Sequence, residues 1–217
     1  MSIYVMTPFC QTGEGVEVLR PYDGRPVGYN IVSAYRRYFA LLGPDDWMVA
    51  MDHDIALVTR GWMKTVEAAI AQEPTGTFVA VTNRLLREKA AWQMGDLRDE
   101  WEPDLLHHFH RADQMQEQHG TKLRDVTAIE DTGLKPLSAV FLVISKDTWD
   151  AIGEIPINTY AVDWTIHRRI RDIGRKVFLM QGLYCLHFSG YREKYLNQPR
   201  YPDPPKRPPR SKPAGTK

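Results

Sequence analysis

The stretch WMVAMDHDIAL, residues 47–57, runs five apolar residues into two carboxylates, Asp52 and Asp54, on either side of His53. The apolar run reads as a buried strand, and the acids stand at its carboxyl end, where an open α/β sheet binds ligands. Residues i and i+2 of an extended segment share a side, about 6.5–7 Å apart at their Cα atoms. Two ionised carboxylates at that spacing repel by about 2–3 kcal/mol at an effective dielectric of about 20. A hard divalent cation relieves the repulsion, and oxygen donors suit Mg²⁺ or Mn²⁺, which keep open positions for phosphates. The alternative is a pair of solvated acids in a loop or at a helix start. Asp54 is followed at once by Ile55-Ala56-Leu57, which puts the acids inside a packed region.

Working outward, residues 3–9 read as a strand ended by Pro8, and a polar, Gly/Pro-rich loop follows over 11–28. The periodicity over 29–42 predicts a helix with Ile31, Ala34, Tyr35, Tyr38 and Leu42 on one face, stopped by Gly43-Pro44. After the acidic triplet, Thr59 is expected to cap a helix running through Ala71, and TFVAVT (77–82) reads as a third strand. This alternation predicts an α/β domain built on a mostly parallel, twisted sheet flanked by helices. Residues 85–135 break the rhythm: they are polar and predict a helical insertion, with a helix from about Pro103 to His119. Beyond it, a strand is expected within 139–145, helices over 146–152 and 165–172, and a strand over 176–180. The segment 183–194, LYCLHFSGYREK, then supplies His187 together with Arg192 and Lys194. His187 reads either as a satisfied structural histidine or as a metal ligand.

Composition bounds the class. The chain has 217 residues, 43% hydrophobic and 25% charged, at a net charge of +1, as expected for one globular domain. We expect that domain over 1–200, with a flexible tail over 201–217 holding six prolines, five Lys/Arg and one acid. No apolar stretch nears the ~18 residues of a membrane span, so no membrane association is expected. The opening MSIYVMTPF is short and uncharged for a signal peptide, and Cys10 and Cys185 read as reduced, buried thiols, which suits the cytoplasm.

Taken together, WMVAMDHDIAL, VAVTNR, LSAVFLVISKDTWDAIGEI and YAVDWTIHRRIRDIGRKVFLMQGLYCLHF resemble the GT-A-type glycosyltransferases, particularly the small GT2-like enzymes of phages. The resemblance spans about residues 1–192, is weakest over 85–135 and does not include the tail. It implies a nucleotide-sugar donor, such as UDP-glucose, and a Mn²⁺ or Mg²⁺ ion. Asp54 and His187 would hold the metal, with Asp52 beside it on the ribose or donor sugar. The nucleotide sugar would be met by Thr7, Pro8, Phe9, His53, Asn83 and Arg84, with Arg192 and Lys194 on the phosphates. Core packing for Phe9 and a capping role for Asn83 are the competing readings.

Asp163 matches the acid that inverting members use as general base on the acceptor hydroxyl. It also stands where an N-cap would, before TIHRRI. Trp164 would stack on a sugar or anchor the core. Where small members of the family read SGF, this chain has Ser138-Ala139-Val140, which implies a changed donor-sugar geometry. Trp92 and Gln93, in the insertion, are expected on the acceptor side. His107, His108, His110 and His119 form either a second metal site or a solvated helix, the latter being favoured.

The resemblance suggests two acceptor classes: DNA carrying hydroxymethylated bases such as 5-hydroxymethylcytosine, toward which the basic tail would contribute phosphate contacts, and a glycan. Two rival classes share the residues. A metal-dependent phosphohydrolase or nuclease would also use Asp52, Asp54 and His187, and a non-catalytic nucleic-acid-binding module would rely on the tail and the aromatics.

Overall fold

The computed structural model describes residues 1–6, 31–52, 54–83, 92–97, 102, 104–134, 136–156, 159 and 162–188. Thr7, Pro8, Phe9, Cys10, His53, Arg84, Arg192, Lys194 and the tail 201–217 lie outside the described residues.

In chain order the elements are β1 (Ile3–Met6), α1 (Ile31–Phe39), β2 (Trp47–Met51), β3 (Ile55–Leu57), α2 (Trp62–Gln72) and β4 (Thr77–Thr82). There follow α3 (Leu105–His119), β5 (Leu123–Asp125), β6 (Phe141–Ser145), α4 (Lys146–Ala151), α5 (Val162–Asp172) and β7 (Val177–His187). The strands form one sheet in the order β1-β2-β6-β4-β7-β3, with β5 also on β7. No helix among the described residues is long and apolar enough to cross a membrane.

The chain is mixed α/β, but the sheet is not mostly parallel. Only β1–β2 and β4–β7 run parallel, while β6 lies antiparallel between β2 and β4, and β3 and β5 pair antiparallel with β7. β6 follows the 85–135 stretch, which holds α3 and β5. Its unbroken apolar run signals burial on both faces and carries no information about direction. β3, three residues long, is too short to show an alternation of its own.

Side chains alternate across the sheet. Met48 and Ala50 of β2 join Tyr35 and Phe39 of α1, Trp149 of α4 and Ile166 and Ile170 of α5 in one apolar cluster. Trp47 and Val49 pack with Val66, Ala69 and Ile70 of α2 on the other side. Phe39 and Trp149 stack with ring centroids 4.3 Å apart, which fixes α1 against α4.

Three local expectations change. The cap of α2 is Gly61, in the left-handed region at φ 64°, and not Thr59. Thr59 is buried; its hydroxyl donates to the Tyr184 carbonyl (3.0 Å) and accepts the Tyr184 N–H (2.8 Å). It thereby extends the β3–β7 pairing past its last backbone pair, Leu57 with Cys185. Asp163 is not an N-cap, because α5 already begins at Val162.

Finally, the 176–180 strand and the segment after it form one long strand, β7, interrupted by a bulge. Ala80 pairs with Met180, but the next residue, Val81, pairs with Tyr184. The three residues left over, Gln181, Gly182 and Leu183, re-phase the strand: Phe178 and Met180 face α2 before them and Cys185 after them. Gly182, in the bulge, abuts the Gly120 carbonyl at the end of α3 so closely that a Cβ there would collide with backbone.

Candidate metal centre

Asp52 and Asp54 lie between β2 and β3, with Asp54 in a turn, not in the extended run expected from their spacing. The Asp52 N–H donates to the Val140 carbonyl (2.9 Å), continuing the β2–β6 pairing by one residue, and the Ile55 N–H returns to the Asp52 carbonyl (3.3 Å). β3 then pairs antiparallel with β7, with Ile55 opposite His187. That register sets the imidazole beside the acid before Ile55: His187 Nε2 lies 3.3 Å from Asp54 Oδ1. The Phe188 N–H donates to the Asp54 carbonyl (2.9 Å), closing the arrangement.

Asp52, Asp54 and His187 each offer a ligand atom within 4.8 Å of the others. Two carboxylate oxygens and an imidazole nitrogen suit a divalent ion of the Mg²⁺–Mn²⁺ class, and three protein ligands leave coordination positions for a substrate. Among the described residues this is the one grouping of three such side chains. The histidines of α3 do not form another. His108 is buried; its Nε2–H donates to the Glu102 carbonyl (2.8 Å) and its Nδ1 accepts the Tyr184 hydroxyl (2.8 Å), while His110 is exposed.

The electrostatics of the acids bear on what they bind. Burial, then the neighbouring Asp163 charge, push the Asp52 carboxyl up to about 7, with Asp54 adding to the rise and His187 opposing it. Asp163 is raised by burial, against which the Ala139 N–H, bonded to its Oδ2 at 3.1 Å, stabilises the ionised form. Tyr35 is raised by burial and by the charges of Asp163 and Asp52, so its ring lies near both acids. Nothing in the sequence marks Tyr35 out: it belongs to the apolar stripe of α1 and reads as core.

A raised carboxyl means that the folded chain holds a proton at Asp52 more tightly than the unfolded chain does. Its contribution to stability is therefore full at acid pH and declines as pH rises from about 4 through about 7. The metal-free protein is expected to melt at progressively lower temperature between about pH 5 and pH 8, and saturating Mn²⁺, which binds the ionised form, is expected to flatten that decline. Melting curves across this range, with and without Mn²⁺, read both slopes. A metal-free melting temperature that climbs with pH would contradict the environment described for Asp52.

Other sequence candidates occupy different roles from those expected. Asn83 is buried, one residue past β4, and its Oδ1 accepts the His187 N–H (2.8 Å), which orients the imidazole's strand. Gln93 is fully buried, with its amide bonded to the backbone of Ala80 and Ser138. It cannot reach an acceptor. Trp92 is also buried and packs in the apolar cluster on the α1 and α5 side of the sheet. Trp164 stays partly exposed on α5, next to Asp163, and is the acceptor candidate the described residues retain. Cys185 is buried and free, its thiol pushed upward by burial. The two buried amide side chains, Asn83 and Gln93, bond to backbone groups, a role that side-chain type alone does not reveal.

No family model matches the chain, and no curated protein matches it.

Proposed function

We propose that the chain is a metal-dependent glycosyltransferase of GT-A type, moving a sugar from a nucleoside diphosphate to an acceptor hydroxyl with inversion. One observation carries the reading: Asp52, Asp54 and His187 converge at the carboxyl end of β2, with the separate acid Asp163 close enough to shift Asp52. A divalent ion bound there would neutralise charge developing on a leaving diphosphate. The chain's own residues divide the remaining work. Asp54 and His187 bind the cation, Asp52 completes the set and faces the donor, and Asp163 takes the acceptor proton. A raised carboxyl is suited to that task, since a base works best near the operating pH.

The test is a panel of nucleotide sugars, UDP-glucose first, with and without Mn²⁺, read by thermal shift and then by mass spectrometry of two acceptors. These are double-stranded DNA carrying 5-hydroxymethylcytosine and a simple glycan. A melting-temperature rise that needs both nucleotide sugar and metal, followed by a hexose mass increment on either acceptor, supports the proposal. Phosphodiester cleavage without any sugar donor would replace it with a hydrolase, and indifference to Mn²⁺ would leave neither.

A further inference from the structure

Among the described residues, 137–139 lead into β6 without a partner strand, and three side chains take the place of one. The Leu137 N–H donates to His167 Nδ1 (3.4 Å), the Ser138 N–H to Gln93 Oε1 (3.0 Å) and the Ala139 N–H to Asp163 Oδ2 (3.1 Å). The following residue, Val140, accepts the N–H of Asp52 (2.9 Å). This short segment therefore touches Asp163 on one side and Asp52 on the other. His167 and Asp163 both belong to α5, so their bonds tie the segment to that helix and leave its position relative to the sheet open.

Gln93 supplies the missing reference. Its Nε2 donates both to the Ser138 carbonyl (3.0 Å) and to the Ala80 carbonyl of β4 (3.1 Å). It does so where the β4–β6 pairing has run out, beyond Val79 with Leu142. The residue is 0% exposed.

We infer that Gln93 is a positioning residue: it bridges β4 to Ser138 and thereby sets where the Ala139 N–H holds the Asp163 carboxylate relative to Asp52. The inference rests on the transferase reading only for its catalytic consequence, since the segment's geometry is measurable without activity. A carboxylate displaced by about an ångström from its working position loses up to ~100-fold in rate while substrate binding survives.

The experiment uses the full chain, its Gln93→Met variant, which keeps the volume and removes every bond, and Gln93→Asn, which keeps the amide one methylene short. Native-state amide exchange, Mn²⁺ affinity and steady-state kinetics are read on each folded protein. In Gln93→Met, exchange at Ser138 and Ala139 is expected to rise about tenfold while the amides of β6 stay as they were. Over the same change, kcat falls about 10- to 100-fold, and KM for the donor and the Kd for Mn²⁺ move less than about threefold. Gln93→Asn is expected to move the same quantities less, and it carries the test should Gln93→Met fail to fold. Unchanged exchange at Ser138 and Ala139 overturns the inference. So does a rise shared equally by β6, or a kcat that holds while those two amides loosen. Absence of sugar transfer by the wild type sinks the transferase reading alone, because the exchange pattern stands apart from it.

Discussion

Asp163→Asn is expected to lower kcat by about 10²- to 10⁴-fold, the range for loss of a general base, while the donor and the metal still bind. The substitution is mild in structural terms. An asparagine oxygen can still accept the Ala139 N–H that Asp163 Oδ2 accepts at 3.1 Å, so the segment entering β6 keeps its tie to α5. What disappears is the ability to take a proton and a negative charge. That charge is, after burial, the largest cause holding Asp52 up at about 7. Removing it lets Asp52 ionise at lower pH, so Mn²⁺ is expected to bind more tightly near about pH 6 in the variant than in the wild type. Turnover and metal affinity thus move in opposite directions, which a general loss of structure cannot produce. Steady-state kinetics with isothermal titration of Mn²⁺ decide it, and a kcat within about threefold of wild type would remove Asp163 from the reaction.

The second large effect lies with Asp54→Asn. Its carboxylate is 3.3 Å from His187 Nε2 and within 4.8 Å of the Asp52 ligand atom. Losing a charged ligand from a set of three is expected to weaken Mn²⁺ at least about 100-fold and to abolish metal-dependent turnover at micromolar Mn²⁺. The metal-free protein should not suffer correspondingly, because Asp54 is one of the charges that disfavour ionised Asp52. A melting temperature equal to or above wild type without metal, together with lost Mn²⁺ stabilisation, is the expected pair of results. An unchanged Mn²⁺ affinity would show that the cluster is a structural ion pair.

How much of this the sequence discloses depends on the length of each element. β2 and β4 are unbroken apolar runs between turn residues, and their bounds at 47–51 and 77–82 fall where the pattern places them. Strand direction is a different matter. Burial on both faces gives β6 the same composition whether it runs with its neighbours or against them, so the antiparallel insertion could not be read. The partnership of Asp54 with His187 spans 133 residues and depends on β3, whose three residues carry no legible period. The residue types suggest a shared divalent ion, and the resemblance names the pair. Asn83 and Gln93 were illegible for another reason: an amide's polarity suggests surface or substrate, whereas here both amides replace backbone hydrogen bonds that the sheet lacks. The long α3 is legible as a helix, yet its His108 faces Tyr184 in the core, which hydrophilic labelling conceals.

The bulge in β7 has a consequence for how this chain can change over time. Side chains on a strand point to alternate faces, so an odd number of surplus residues swaps inside for outside from that point onward. Three are inserted between Met180 and Tyr184, and Cys185, two residues before His187, shares the side of Met180 only because that number is odd. Loss or gain of a single residue at 181–183 would turn the imidazole's side of the strand over and part it from Asp54, whereas a change by two would preserve its orientation. Length variation at this spot is therefore confined to even steps, a constraint separate from the one the Gly120 carbonyl places on Gly182.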